Sequence, residues 1–198
     1  MYLKNYYYYF EGALSKEFCD QIIENGKKQV EEKASVTKDD TRDLSKVRDS
    51  SIAWMQDLWI YEKINPYILH ANKEAGWNFE LVGSESCQFT VYREQQHYDW
   101  HQDSFSEPFN RLGSYDHGMI RKLSVTISLE DGDSYEGGDL EFDLRNRPDS
   151  QSVIETAKPA RKKGSIIVFP SFVWHRVTPV TKGTRYSLVI WNIGPPFK

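Results

Sequence analysis

Residues 92–103 read Tyr-Arg-Glu-Gln-Gln-His-Tyr-Asp-Trp-His-Gln-Asp. Two His-x-Asp units lie in this stretch, His97/Asp99 and His101/Asp103. In a strand, residues i and i+2 share a face, so either unit directs an imidazole and a carboxylate at one point. Ser-Phe-Ser-Glu-Pro follows Asp103, so the second unit falls where the strand ends.

Working outward, residues 164–175 read Gly-Ser-Ile-Ile-Val-Phe-Pro-Ser-Phe-Val-Trp-His, an apolar strand that delivers His175. Arg185 comes ten residues later, and a hairpin turn at Lys182-Gly183 would return it beside the strand bearing His175. An arginine aimed into a barrel of apolar strands must find an anion. Its guanidinium fork matches a carboxylate in a bidentate pair. The flanking segments Phe79–Val82, Ser86–Tyr92, Leu123–Leu129, Leu140–Phe142, Ser165–Phe169, His175–Val177 and Tyr186–Ile193 are short, β-branched or aromatic, and punctuated by Gly137-Gly138, Pro148 and Lys163-Gly164.

The N-terminal part is different. Tyr6 to Phe10 reads as a first strand. Ser15 caps a helix running to about Lys33, with Leu14, Phe18, Ile22 and Ile23 on its apolar stripe. A second helix spans about Asp57 to Ala75, kinked or ended by Pro66 and closed by Gly76. Many short strands after two helices suggest a sandwich or barrel with helical cover. Loops 34–50, 104–120 and 144–162 are candidate lids.

The chain has 198 residues, within the ~100–200 expected of one domain. It is 39% hydrophobic and 27% charged, the composition of a globular protein rather than a disordered one. A net charge of -4 argues against a phosphate-backbone binder, so a nucleic-acid partner is not expected. No run approaches the ~20 apolar residues of a membrane span, and the first residues lack a signal-peptide pattern. Cys19 and Cys87 lack metal-type spacing, and the cytoplasm is the expected compartment.

Two imidazoles and one carboxylate, with His175 as the third ligand, form a facial triad that leaves positions open and suits non-haem Fe(II) oxygenases. A three-residue His-x-Asp pattern recurs by chance, so the weight lies in the order of the pieces. These are Tyr92 with Tyr98-x-x-His101-x-Asp103, Leu123-Ser-Val-Thr-Ile-Ser-Leu, Tyr135-Glu-Gly-Gly-Asp-Leu-Glu-Phe142, Phe169-Pro-Ser-x3-His175, Arg185 and Trp191. In that order they resemble the 2-oxoglutarate- and Fe(II)-dependent dioxygenases, specifically the prolyl 4-hydroxylase-like branch with its PKHD-type hydroxylases.

The resemblance covers about Leu81 to Pro195 and selects the His101/Asp103 register, counted from Tyr92. It leaves His97 at the rim. It implies His101, Asp103 and His175 as metal ligands, and Arg185 as partner of the distal carboxylate of 2-oxoglutarate. It places Tyr92 beside that cosubstrate, and Tyr98, Trp191 and His97 around the substrate pocket. The implied fold is mainly β with N-terminal helices: a double-stranded β-helix (jelly roll, cupin-like) core at about 77–197, packed against two or three helices in the cover at 1–76, forming one domain over 1–198. The implied cofactors are Fe(II), 2-oxoglutarate and O2, with ascorbate as a reductant. The implied reaction is hydroxylation of a C–H bond, of a prolyl residue in a peptide or protein or of a small molecule, with release of succinate and CO2. Asp103 favours hydroxylation over halogenation, because halogenating relatives lack this carboxylate. The family often carries glycines where this chain has Gln95 and Gln96. Alternative readings are a cupin-like metal-binding or isomerase module, in which Arg185 is merely salt-bridged, and a Zn(II) hydrolase, which needs neither O2 nor 2-oxoglutarate.

Overall fold

The computed structural model of the chain describes residues 3–30, 48–105, 107–144 and 153–197. Residues 34–47 of the expected loop 34–50, and residues 145–152 of the expected loop 144–162, lie outside these residues; the rest of the second loop contains a short strand and a 3-10 turn rather than irregular chain alone. All strand pairings among the described residues are antiparallel, and the described part is mainly β with two α-helices.

The larger sheet runs in the order β1 (Tyr8–Phe10), β11 (Ile166–Pro170), β7 (Ile120–Ser128), β14 (Arg185–Gly194), β5 (Cys87–Tyr92), β3 (Ser51–Met55), with β4 (Gly83–Ser84) beside β14. The smaller sheet runs β10 (Ile154–Thr156), β9 (Leu140–Asp143), β12 (Trp174–Val177), β6 (His97–His101), β2 (Arg48–Asp49). A third pair joins β13 (Val180–Gly183) to β8 (Tyr135–Gly137).

The larger sheet is buried on both faces, and the two faces differ in chemistry. Cys87, Phe89, Val91, Leu123, Val125, Ile127, Leu188 and Ile190 are buried in the main apolar core with the helices. Alternate residues, among them Gln88, Tyr92, Thr126, Arg185 and Ser187, line a cavity on the other face. The period-two geometry of a strand makes this separation automatic once the residues alternate apolar and polar.

Helix α1 (Lys16–Gln29) begins at Ser15, whose hydroxyl accepts from the Phe18 N–H at 3.3 Å. It buries Cys19, Ile22, Ile23 and Gly26. Gly26 lets the helix sit directly on Phe89, since a Cβ there would lie 2.4 Å from the ring. Helix α2 (Leu58–Glu74) buries Ile60, Ile64 and Ile68. Each such side chain contributes ~1.5–3 kcal/mol.

Four local expectations need correction. Helix α2 is continuous through Pro66. Both Pro66 and Glu62, the residue four earlier, are exposed, so water can satisfy the carbonyl that proline leaves unpaired. Residues 79–82 form no strand, because the Asn72 side chain takes both the N–H and the C=O of Phe79, each at 2.9 Å. The strand β3 was not anticipated. Lys182-Gly183 does not turn a hairpin onto His175: β13 pairs with β8, and Arg185 begins β14 in the opposite sheet.

Candidate metal centre and adjoining cavity

His101 closes β6 and His175 lies in β12, and the two are direct cross-strand partners. Asp103 follows two residues after β6 ends. The ligand-type atoms of His101, Asp103 and His175 all lie within 4.8 Å of one another. His175 Nε2 stands 3.5 Å from Asp103 Oδ2, and His101 Nε2 stands 3.7 Å from Asp103 Oδ1.

The tautomers follow from the outer hydrogen bonds. His101 Nδ1 donates to the Asp99 carbonyl at 2.7 Å, and His175 Nδ1 donates to the Val173 carbonyl at 2.9 Å. In the neutral form of each ring the lone pair is then on Nε2, the nitrogen beside Asp103. This is how a protein holds imidazoles ready for a metal. Asp103 Oδ2 accepts from Ser124 Oγ at 2.7 Å, and Ser124 Oγ is 2.9 Å from Ser171 Oγ. The Asp103 N–H donates to the Ser171 carbonyl at 2.9 Å.

Electrostatics point the same way. Burial, reinforced by the neighbouring His175, pushes the His101 pKa down to about 3. Burial alone would raise Asp103, but the positive charge that His175 and His101 carry when protonated, together with Arg121 and the Ser124 hydroxyl, outweighs it and holds the carboxyl below the usual range. A neutral imidazole and an ionised carboxylate are the forms that bind a metal. The donor set and its outer bonds fit a divalent cation.

The cluster opens onto a small, partly enclosed cavity. Tyr92, Tyr98, Arg185 and Trp191, all anticipated from the sequence, line it together with the three ligand-type residues. Arg185 is 2% exposed and donates to Ser187 Oγ at 3.1 Å. Its guanidinium lies over the Tyr92 ring at 5.4 Å, and no acidic side chain pairs with it among the described residues. Gly138, at φ +62, leaves its room: a Cβ there would meet Arg185 Cδ at 3.0 Å. The Tyr98 ring stacks on His101 at 3.5 Å between centroids, and burial pushes its phenol up to about 12.

His97 is not brought into this cavity. Its ring sits near the Gln95 carbonyl, 3.4 Å from Nδ1. The cause is a β-bulge: His175 pairs with His101 and Val177 pairs with Tyr98, so Asp99 and Trp100 together oppose Arg176. The bulge shifts the alternation by one residue, turning Tyr98 inward and His97 and Asp99 outward.

Sequence reasoning missed several supporting residues. Arg121 pairs with Glu85, donates to the Asp103 carbonyl at 3.4 Å and lies over Trp191 at 3.9 Å. Arg48 lies over Tyr98 at 4.9 Å and donates to Gln88 Oε1 at 3.3 Å. Ser124 was legible as a polar residue alternating with Leu123 and Val125; Arg48 and Arg121 carried no comparable signal.

Fold and site together define an antiparallel protein of two main sheets and a short third one, with a His-Asp-His metal-type cluster beside a buried arginine. The chain belongs to the 2OG-Fe(II) oxygenase superfamily, whose family model matches residues 87–192. It is similar to PKHD-type hydroxylases. One from Synechococcus sp. (strain CC9605) is 40% identical over 95 residues, covering 48% of this chain and 35% of the relative. Another from Teredinibacter turnerae is 35% identical over 108 residues, covering 52% of this chain and 41% of the relative. The matches therefore span well under half the length of these curated relatives. Among solved structures, a Pseudomonas putida prolyl-4-hydroxylase superposes with a TM-score of 0.68 at 20% identity, covering 96% of this chain and 93% of that one. A Trichoplax adhaerens prolyl hydroxylase, solved with a peptide fragment of the hypoxia inducible factor oxygen degradation domain, gives 0.71 at 15% identity, covering 96% and 84%. At these identities the structural likeness speaks to the fold.

Proposed function

We propose that this chain is a 2-oxoglutarate- and Fe(II)-dependent dioxygenase that hydroxylates a C–H bond of a prolyl residue in a peptide or protein, releasing succinate and CO2. The observation that carries the reading is Arg185: a buried cation without an acidic partner among the described residues, in the same cavity as two imidazoles and a carboxylate. Burying an unpaired guanidinium is costly, so the site calls for an anionic ligand. A dicarboxylate anchored at Arg185 by one end and at the metal by the other meets that demand.

In this reading His101 Nε2, Asp103 and His175 Nε2 hold the iron. Arg185 binds the distal carboxylate of 2-oxoglutarate, with Tyr92 beside it. Tyr98 and Trp191 wall the substrate side. When bound, Fe(II) with 2-oxoglutarate and O2 supplies the oxidation of the C–H bond, and ascorbate serves as the reductant that keeps the iron ferrous. The protein's own work is to keep three ligand atoms deprotonated, orient the cosubstrate with Arg185 and the polar residues around it, and limit water with the aromatic and aliphatic part of the lining, Tyr92, Tyr98, Leu140, Val177, Val189 and Trp191. Loop 104–120 contributes to the entrance. The two sheets are read as the faces of a double-stranded β-helix, the helices as its cover, and residues 1–198 as one domain. The free, buried Cys19 and Cys87 suit a reducing compartment, and we place the protein in the cytoplasm. The prolyl substrate class is supported by the PKHD-type relatives and the peptide-bound neighbour.

The test is an anaerobic visible spectrum with Fe(II) and 2-oxoglutarate. A weak charge-transfer band is expected, absent in His175→Ala and weakened in Arg185→Ala. Succinate release stimulated by prolyl peptides should accompany it. Iron binding without the band would overturn the cosubstrate role and favour a cupin-like module without oxygenase activity. No iron binding would overturn the ligand assignment.

A further inference from the structure

We propose that Tyr7 is a redox-active residue, the end of an aromatic path that drains a one-electron oxidant from the metal centre when no substrate C–H bond is in place. The inference rests on the oxygenase reading above. It concerns a residue remote from the cavity, in the dense aromatic stretch at the N-terminus.

The path is laid out by strand register. His175 in β12 pairs with Phe142 in β9, and Phe142 pairs with Glu155 in β10. Directly paired residues of neighbouring strands share a face, so these three form a row running from the metal centre to the sheet edge. The rings of His175 and Phe142 are 6.3 Å apart between centroids. Phe169, from the facing sheet, closes the gap, at 4.6 Å from His175 and 5.0 Å from Phe142. Tyr7 stacks on Phe142 at 4.9 Å with planes 13° apart. Its hydroxyl donates to Glu155 Oε1 at 2.5 Å. Tyr9 lies 6.3 Å further on and is 48% exposed, giving the path a surface end.

Proton handling selects Tyr7 over phenols nearer the metal. A phenol that loses an electron becomes a strong acid, and oxidation is easiest where a base stands ready to take the proton. Tyr92 and Tyr98 line the cavity but have no hydrogen-bond acceptor among the described residues. Tyr7 has a carboxylate at hydrogen-bond distance. Burial, and then the bond to Glu155, keep the resting phenol protonated.

The step balances as follows. One electron passes from the Tyr7 side chain along the aromatic row to the iron-borne oxidant that O2 activation leaves, which is reduced by one equivalent. The phenolic proton moves to Glu155, leaving a neutral phenoxyl radical. A one-electron reductant of the ascorbate or thiol class, acting at the surface, returns the electron, and Glu155 returns the proton. The net effect is to consume an oxidant that would otherwise attack the cavity wall.

The test uses the full chain with Fe(II) and 2-oxoglutarate, mixed with O2 without substrate and freeze-quenched for electron paramagnetic resonance. Ring-deuterated tyrosine identifies a tyrosyl signal. Tyr7→Phe keeps the stacked ring and removes only the hydroxyl; Glu155→Gln keeps an acceptor and removes the base. The expected result is a tyrosyl radical in the wild type and its loss in both variants. Peptide mass spectrometry should show oxygen additions at Tyr92, Tyr98 or Trp191 increasing in the variants. A radical that survives in Tyr7→Phe overturns the assignment. So does a tryptophan signal, which would point to Trp191 and its neighbour Trp54, 6.1 Å away between centroids. If the anaerobic charge-transfer band forms but no radical appears, this inference fails alone. If the band itself is absent, the oxygenase reading fails and takes this one with it.

Discussion

Replacing Ser124 by alanine should weaken metal binding without unfolding the chain. A serine hydroxyl has one proton to give, and Ser124 gives it to Asp103 Oδ2 at 2.7 Å. The 2.9 Å contact with Ser171 Oγ must then run the other way, with Ser171 donating to Ser124. The chain is therefore directional, Ser171 to Ser124 to Asp103, and ends on the charged member. A hydrogen bond to a charged acceptor contributes ~1.5–3 kcal/mol. At ~1.4 kcal/mol per tenfold in affinity, that is roughly 10- to 100-fold. Loss of an outer partner of a metal ligand typically costs ~10–100-fold, so two independent routes give the same figure. The fold should survive, because the Asp103 N–H remains bonded to the Ser171 carbonyl at 2.9 Å and the substitution removes a single oxygen. Anaerobic calorimetric titration with redox-silent Mn(II), alongside far-ultraviolet circular dichroism, reads both effects. Ser171→Ala should cost less, since it touches the carboxylate only through Ser124. Wild-type affinity in Ser124→Ala would refute the argument. A larger loss in Ser171→Ala would refute the direction of the chain.

Arg185→Met should raise the melting temperature of the metal-free protein, because it removes a buried cation lacking an acidic partner. The same variant should lose the extra stabilisation that 2-oxoglutarate confers on Mn(II)-loaded protein. Scanning fluorimetry reads both, and a lower metal-free melting temperature would make Arg185 structural. Gly26→Ala should destabilise despite a helix-propensity gain of ~1 kcal/mol. The new Cβ would stand 2.4 Å from the Phe89 ring, and such overpacking costs ~1–3 kcal/mol; a higher urea midpoint would contradict that packing. Burial pushes the thiols of Cys19 and Cys87 up to about 11 each, so neither forms its reactive thiolate near neutral pH. An aromatic disulfide reagent should label neither in the native chain and both in denaturant; rapid native labelling would mean the burial is transient.

The sequence made the helices and most of the long strands legible because their apolar residues repeat at the period of the element. Leu123, Val125 and Ile127 alternate with Ser124, Thr126 and Ser128, and the structure sends the first set to the apolar core and Thr126 to the cavity. Other segments carried the right composition for the wrong state. Phe79–Val82 looks like a strand, yet the backbone of Phe79 is satisfied by the side chain of Asn72, and only Val82, at the end of the segment, bonds to β14. Lys182-Gly183 looks like a hairpin turn, yet those residues pair with Tyr135 and Glu136. In the first case a side chain seven residues back decided, and in the second a strand distant in the chain; propensity within the segment holds no record of either partner.

The metal centre shows the same limit more sharply. By strict alternation His97, Asp99, His101 and Asp103 would all face one side, and composition alone does not choose between the two pairs. The choice is made by one extra residue in β6, where Asp99 and Trp100 together oppose Arg176. The guanidinium of Arg176 lies 4.7 Å from the centre of the Trp100 ring and is bonded to Glu141 at 2.7 Å, packing the outside of the bulge. On the inside, the shifted phase puts Tyr98 flat against His101. No glycine or proline within 97–103 announces the bulge. Its cause is the register that β12 and β6 adopt, which brings His175 opposite His101. The pairing that brings the two imidazoles together thus also turns His97 and Asp99 away, leaving one carboxylate in the site and room beside it for an anionic ligand.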